Sequence, residues 1–180
     1  MPRKPRELVA GGVYHVYARG NNRQSIFLDD LDRRAYLRHI EHVVLKRAWL
    51  CLAYCLMPNH VHLLVETPQP DLAVGMHWLH GAYARRFNRR HRRVGHLFQG
   101  RYGAVRIEDD AQLWMTAAYI ARNPVAAGHC REPEDWEWSS HAATANADAP
   151  PWLAANRLLE YLQGAAGGDP HERYGELTRR

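Results

Sequence analysis

LCLAYCLMPNHVHLLVET, residues 50–67, decides the architecture. Residues 50–57 and 61–67 are two short apolar runs separated by Pro58, Asn59 and His60, and Pro68-Gln69-Pro70 stops the second. Apolar runs of strand length between turn residues read as a β-hairpin. Upstream, residues 13–19 alternate in polarity and run into the turn signal Gly20-Asn21-Asn22, which predicts a first strand. Asp29 and Asp30 then cap a helix whose apolar positions Tyr36, Ile40, Val43 and Val44 recur at helical spacing through about residue 47. Downstream, a second helix spans roughly residues 71–92, with Met76, Leu79, Ala82, Tyr83 and Phe87 on one side. Residues 104–108 read as a last strand, and Asp109 and Asp110 cap a third helix that Pro124 ends.

Strand, helix, strand, strand, helix, strand, helix is the order of a split βαβ unit with one helix added. The expected class is α+β: a ferredoxin-like antiparallel sheet with helices on one face, an added helix and a C-terminal extension. Residues 1–131 form the main domain and residues 132–180 the extension. The extension is expected to be partly helical, over residues 151–163, with a flexible break at Gly164 to Gly168 and a mobile last dozen residues.

Composition narrows the function classes. With 46% hydrophobic and 24% charged residues, the 180-residue chain has an ordinary globular balance. No run approaches the roughly 18 apolar residues of a membrane span, so a cytoplasmic protein is expected. Three cysteines, Cys51, Cys55 and Cys130, have no Cys-x-x-Cys spacing; Cys51 and Cys55 read as small core residues. No Gly-x-x-x-x-Gly-Lys pattern occurs, so nucleotide hydrolysis is not indicated. The net charge of +5 conceals a split: residues 1–131 carry 20 Lys+Arg against 10 Asp+Glu, and residues 132–180 carry 4 against 9.

Three features carry chemistry. In His60-Val61-His62, strand residues two apart share a face about 6.6 Å apart, so two imidazoles can converge on one ion at about 2.1 Å each. The pair alone does not separate a metal site from two half-exposed histidines at a hairpin mouth. On the third helix, Leu113, Trp114, Ala117, Ile120 and Ala121 form an apolar stripe, while Tyr119 and Asn123 lie on the other side, one turn apart. A helical tyrosine is also a common core or boundary residue, so the wheel leaves its role open. Lastly, Arg85, Arg86, Arg89, Arg90, Arg92 and Arg93 are continued by Arg101 and Arg106 with no acid between, and aromatic residues interleave them. A dense single-sign run repels itself and suits a polyanion, with flat faces for unpaired bases.

Together with Tyr14-His15-Val16, Arg19-Gly20-Asn21-Asn22-Arg23, Gly95 to Tyr102, Asn123-Pro124-Val125 and Trp136 to Ser140, these residues resemble the REP-associated tyrosine transposases, members of the single-tyrosine HUH nucleases. The resemblance covers about residues 8–142. It implies a divalent ion, Mg²⁺ or Mn²⁺, held by His60 and His62 with Asn123 as third ligand, and Tyr119 as the nucleophile that forms a 5′-phosphotyrosine. The implied partner is single-stranded DNA with repeat hairpins, with no nucleotide cofactor, a monomeric protein and a nucleoid association through DNA. Hairpin backbone contact is assigned to residues 85–93, Arg101 is a further DNA-binding candidate, and guide recognition is left open, with Arg3, Lys4 and Arg6 as candidates. Tyr83, on the buried stripe, is the competing tyrosine. The acidic extension is expected to lie over the basic surface. A non-catalytic DNA- or RNA-binding regulator is the alternative function.

Overall fold

In a computed structural model, which describes residues 8–161 and 169–179, the chain forms β1 (Gly12–Arg19), α1 (Asp30–Arg47), β2 (Leu50–Met57), β3 (His60–Thr67), α2 (Leu72–His91), β4 (Gly103–Ile107), α3 (Asp110–Ala126), α4 (His141–Ala145), α5 (Ala155–Glu160) and α6 (Pro170–Arg179). The strands make one antiparallel sheet in the order β2-β3-β1-β4. This is the ferredoxin-like α+β arrangement that the element pattern predicts.

The central hairpin is tighter than its sequence suggests. Met57 pairs with His60, so Pro58 and Asn59 alone make the turn and His60 belongs to β3. Tyr14, Val16 and Ala18 of β1 and Val61, Leu63 and Val65 of β3 face one way and pack with Tyr36, Ile40, Met76, Leu79, Tyr83 and Phe87 of α1 and α2. Ala53, Cys55, Met57 and Leu64 face the other way, onto Leu113, Ala117 and Ile120 of α3, Leu158 of α5 and Tyr174 of α6. With helices on both sides, β2 is buried along almost its whole length, and an unbroken apolar run is the composition such a strand requires. Cys51 and Cys55 are free thiols in that core, as expected.

The predicted caps form: Asp29 accepts from the Asp32 amide at 3.1 Å and Asp109 from the Gln112 amide at 2.7 Å. Asp32 itself is buried and receives Arg90 at 2.6 Å and His91 at 2.9 Å, which ties α1 to the end of α2. Pro124 does not end α3; the helix runs on to Ala126. The proline takes one N–H from the ladder, and the end of the helix is closed by the Ala127 N–H on the Asn123 carbonyl at 3.0 Å and the His129 N–H on the Pro124 carbonyl at 2.9 Å.

The extension differs most from expectation. Residues 151–154 of the expected helix are not helical, and the Ala154 N–H instead donates to the Cys51 carbonyl of β2 at 2.8 Å. The expected helix residues 162 and 163 and the Gly164 to Gly168 break lie outside the described residues. Residues 170–179, expected to be mobile, form α6, with Tyr174 buried beside Trp114 and His141 and Arg179 paired with Glu134 at 2.7 Å. The extension also closes the free edge of β2, where the Leu56 N–H donates to the Trp138 carbonyl at 2.8 Å and the Ser140 N–H to the Tyr54 carbonyl at 3.0 Å. Its Glu134 and Glu160 are matched by Arg179 and Arg157 of the extension itself. The described acidic extension therefore seats on β2 and α3, and not over the basic end of α2 as its charge suggested. Among the described residues no helix is long and apolar enough to cross a membrane.

His80 of α2 stacks on Phe98 with ring centroids 4.2 Å apart and contacts the Tyr36 hydroxyl at 3.2 Å. Burial pulls its imidazole from 6.5 to about 4. Below pH 6.5 the unfolded chain takes up a proton that the folded one refuses, so this site's contribution to stability is present above 6.5 and lost as pH falls towards 4. The thermal midpoint of the wild type is expected to drop between those pH values more steeply than that of His80→Gln, which still accepts from Tyr36 but does not titrate. Scanning calorimetry across the interval checks the difference in slope.

Candidate active site

The site is built from the two-residue turn outward. The Gly20 N–H donates to the Asn59 carbonyl at 2.8 Å, and the Asn59 side-chain amide donates to the Arg23 carbonyl at 3.1 Å. That second bond orients Asn59 so that its Oδ1 faces His60 Nδ1, 2.7 Å away. With Nδ1 as the N–H donor, the lone pair of His60 sits on Nε2, which points at Asn123 Oδ1 at 3.0 Å. Two lone pairs facing each other at that distance are unsatisfied by one another.

His62 lies two residues on, on the same face of β3, and is buried. Its Nδ1 meets His15 Nε2 at 2.9 Å, and the two rings stack with centroids 5.2 Å apart. Donation from His62 Nδ1 to His15 leaves the His62 Nε2 lone pair directed at the Asn123 amide, 3.4 Å away. Both ligand-type nitrogens and the amide of Asn123 thus converge on one point. Burial pulls the His62 imidazole down to about 3, helped by the charges of His15, His60 and Arg19. Burial also lowers His60 and His15, in His60 against the hydrogen bond that its protonated ring would donate to Asn123. All three imidazoles are therefore neutral near pH 7, the state in which a histidine ligates metal.

Adjacent ligands of a six-coordinate ion at about 2.1 Å stand about 3.0 Å apart, which matches the spacing of His60 Nε2 and Asn123 Oδ1. Among the described residues no group of three or more His, Cys, Asp or Glu side chains gathers for a metal; a donor set at this point would be the two imidazoles and the Asn123 amide oxygen. Such a set fits a divalent cation and leaves positions for phosphate oxygens and water.

Helix α3 supplies the remaining parts. Leu113, Ala117, Ile120 and Ala121 are buried, which turns Tyr119 outward at 51% exposure. Its ring meets His62 edge-on with centroids 5.4 Å apart and His15 at 5.9 Å. Asn123, one turn later, is the residue whose Oδ1 faces His60 Nε2 at 3.0 Å. Tyr83 is 1% exposed, with its hydroxyl donating to the Ile26 carbonyl, so it is a core residue as expected.

A pocket of about 620 Å³ opens beside the histidines, bordered by Tyr17, Arg19, Gln99 and Arg101. The chain from Arg92 to Tyr102 reaches it by crossing the end of β1, where the Asn21 N–H donates to Leu97 and the Gln99 N–H to the Arg19 carbonyl. Arg101 therefore stands at the pocket. The arginines of residues 85–93 lie on α2 and its C-terminal end, in the layer behind the sheet. Arg90 is engaged by Asp29 and Asp32, and Arg93 by Gln24, while Arg85, Arg86, Arg89 and Arg92 are exposed. Arg3, Lys4 and Arg6 lie outside the described residues.

Sequence inspection gives no role to His15 or Tyr17. The β1 alternation places them on one face, but only the register, with Tyr17 opposite His62 and His15 opposite Leu64, brings them to the site.

Residues 9–123 match the family described as Transposase IS200 like. A Haemophilus influenzae protein named "Putative REP-associated tyrosine transposase" is 28% identical over 160 residues, covering 81% of this chain and 89% of that protein. A solved structure of a REP-associated tyrosine transposase bound to a REP hairpin superposes with a TM-score of 0.71 at 19% identity, covering 94% of this chain and 93% of that one. At that identity the structural likeness speaks for the fold.

Groups that orient a ligating histidine through its other nitrogen are worth about 10- to 100-fold in metal affinity. His15→Leu is therefore expected to weaken Mn²⁺ binding by that factor, whereas His15→Gln, whose Oε1 can still accept from His62 Nδ1, retains most of it. Isothermal titration of the DNA-free protein with Mn²⁺ measures both; equal affinities in the two variants would remove His15 from the site.

Proposed function

This chain belongs to the IS200-like transposase family, and we propose that it is a metal-dependent single-stranded DNA nuclease and strand transferase that recognises repeat hairpins and cuts through a 5′-phosphotyrosine on Tyr119. The observation that carries this reading is the edge-on contact of the exposed Tyr119 ring with His62, on the same helix as the Asn123 whose Oδ1 faces His60 Nε2. A protein that only binds DNA has no need of this convergence.

His60, His62 and Asn123 would hold the ion, Mg²⁺ or Mn²⁺. When bound, it supplies Lewis-acid polarisation of the scissile phosphate. The Tyr119 oxygen attacks phosphorus in line, the bond to the 3′ oxygen breaks, and the phosphoryl group stays on Tyr119 while a 3′-hydroxyl leaves. One phosphodiester is exchanged for another, so a DNA 3′-hydroxyl can reverse the step on a different end without ATP. Helix α3 presents Tyr119 outward and holds it against His62 and His15, which fixes the line of approach.

The exposed Arg85, Arg86, Arg89 and Arg92 suit the backbone of a hairpin stem, and Arg101 suits the strand entering the pocket. The hairpin bound by the structurally similar transposase supports this choice of substrate. Arg3, Lys4 and Arg6 are the candidates for guide recognition. Nucleophile and proposed ligands come from a single chain, so the reaction needs no partner copy, and we assign a monomeric protein acting in the cytoplasm on nucleoid DNA.

Incubation with labelled single-stranded hairpin DNA and Mn²⁺ is expected to give a protein–DNA adduct that survives a denaturing gel. The adduct should disappear with Tyr119→Phe, fall at least 100-fold with His62→Ala, and persist with Tyr83→Phe in whatever fraction of that variant folds. An adduct that persists with Tyr119→Phe would assign the nucleophile elsewhere.

A further inference from the structure

Tyr17 sits on the open side of the sheet, paired with His62 of β3 on one hand and Gly103 of β4 on the other. Its ring lies directly across Gly103: a Cβ at that position would stand 2.2 Å from Tyr17 Cζ, so any side chain there displaces the ring. One face of the phenol thus rests on the β4 backbone, and the residue is left 44% exposed. Its other ring neighbours are the site histidines, His15 at 5.5 Å and His62 at 6.4 Å between centroids.

The space in front of it is the 620 Å³ pocket, within the range of about 300–1,000 Å³ that accepts one small-molecule-sized group. Arg19 and Arg101 border the same pocket, both are exposed, and among the described residues neither has a carboxylate partner. A flat aromatic face held in water adds nothing to the core. Beside two uncommitted guanidiniums and a phosphate-cutting centre, it matches the combination that holds unpaired nucleotides: one surface for the base and cations for its phosphate.

We propose that Tyr17 is the stacking platform for one unpaired base adjacent to the scissile phosphate, with Arg19 and Arg101 holding that nucleotide's backbone and Gly103 keeping the platform in place. This rests on the nuclease reading above and extends it with a nucleotide subsite. Because every base has a π-face, the subsite tolerates sequence, and it positions the strand without selecting it. Tyr17 is a binding residue here; its hydroxyl takes no part, so phenylalanine should serve as well.

The test uses the full chain and a DNA hairpin with single-stranded oligo(dT) flanks, carrying one 2-aminopurine at each flank position in turn. One position is expected to be quenched on binding in wild type and in Tyr17→Phe. The quench should be lost in Tyr17→Leu and in Gly103→Ala, with circular dichroism confirming that both variants fold. In the adduct assay with Mn²⁺, Tyr17→Leu should raise KM about tenfold with kcat nearly unchanged, and Arg19→Gln with Arg101→Gln should do the same. The subsite is overturned if no flank position has a quench that depends on Tyr17, or if Tyr17→Phe fails as badly as Tyr17→Leu. Failure of the wild type to form an adduct would sink the nuclease reading alone; a Tyr17-dependent quench in that protein would still establish the subsite.

Discussion

The side-chain amide of Asn123 lies between two imidazole nitrogens, 3.0 Å from His60 Nε2 and 3.4 Å from His62 Nε2, and this junction between a helix and a strand is the constraint on which the site depends. It is also where α3 is pinned to β3. Each member is oriented from behind: His60 by Asn59 and the Arg23 carbonyl, His62 by His15, and Asn123 by the apolar stripe that seats α3. Neutral, desolvated imidazoles held in this way would give up little freedom on meeting a cation, which is the sense in which a site is preorganised. The same desolvation opposes their protonation, so the geometry that favours ligation also costs stability in acid.

Holding α3 in place takes more than the ferredoxin-like unit. The helix packs on β2, and β2 would be an open edge without the extension, whose backbone bonds to Cys51, Tyr54 and Leu56. Tyr174 of α6 and Leu158 of α5 complete the cluster beneath Leu113, Ala117 and Ile120. The extension is in this respect a scaffold for the helix that carries Tyr119, with its Glu134 and Glu160 paired to its own Arg179 and Arg157.

The half of the sheet that α3 leaves uncovered contains the ends of β1 and β4, and it is here that exposed groups collect: Tyr17, Arg19 and Arg101 around one pocket. The basic face of α2 belongs to the opposite layer. A strand that enters the pocket and a stem that lies on α2 would have to pass the end of the sheet, along the path the segment from Arg92 to Tyr102 already takes. Charge density marks where a polyanion is welcome, and the pocket marks where one residue of it can be handled.

Local pattern alone determined the strands, the first three helices, the caps Asp29 and Asp109, the outward face of Tyr119 and the burial of Tyr83, because alternation, helical periodicity and turn residues act between near neighbours. The His-Val-His spacing likewise marked a pair of imidazoles on one face. Tertiary structure decided what those groups meet. The β1–β3 register set His15 behind His62 and the β1–β4 register set Tyr17 beside Gly103, contacts between residues 47 or more apart that no local pattern encodes. The extension's coverage of β2, the helix at its end, and the diversion of Arg90 to Asp29 and Asp32 are long-range pairings of the same kind. Their free energy exists only once the sheet has formed.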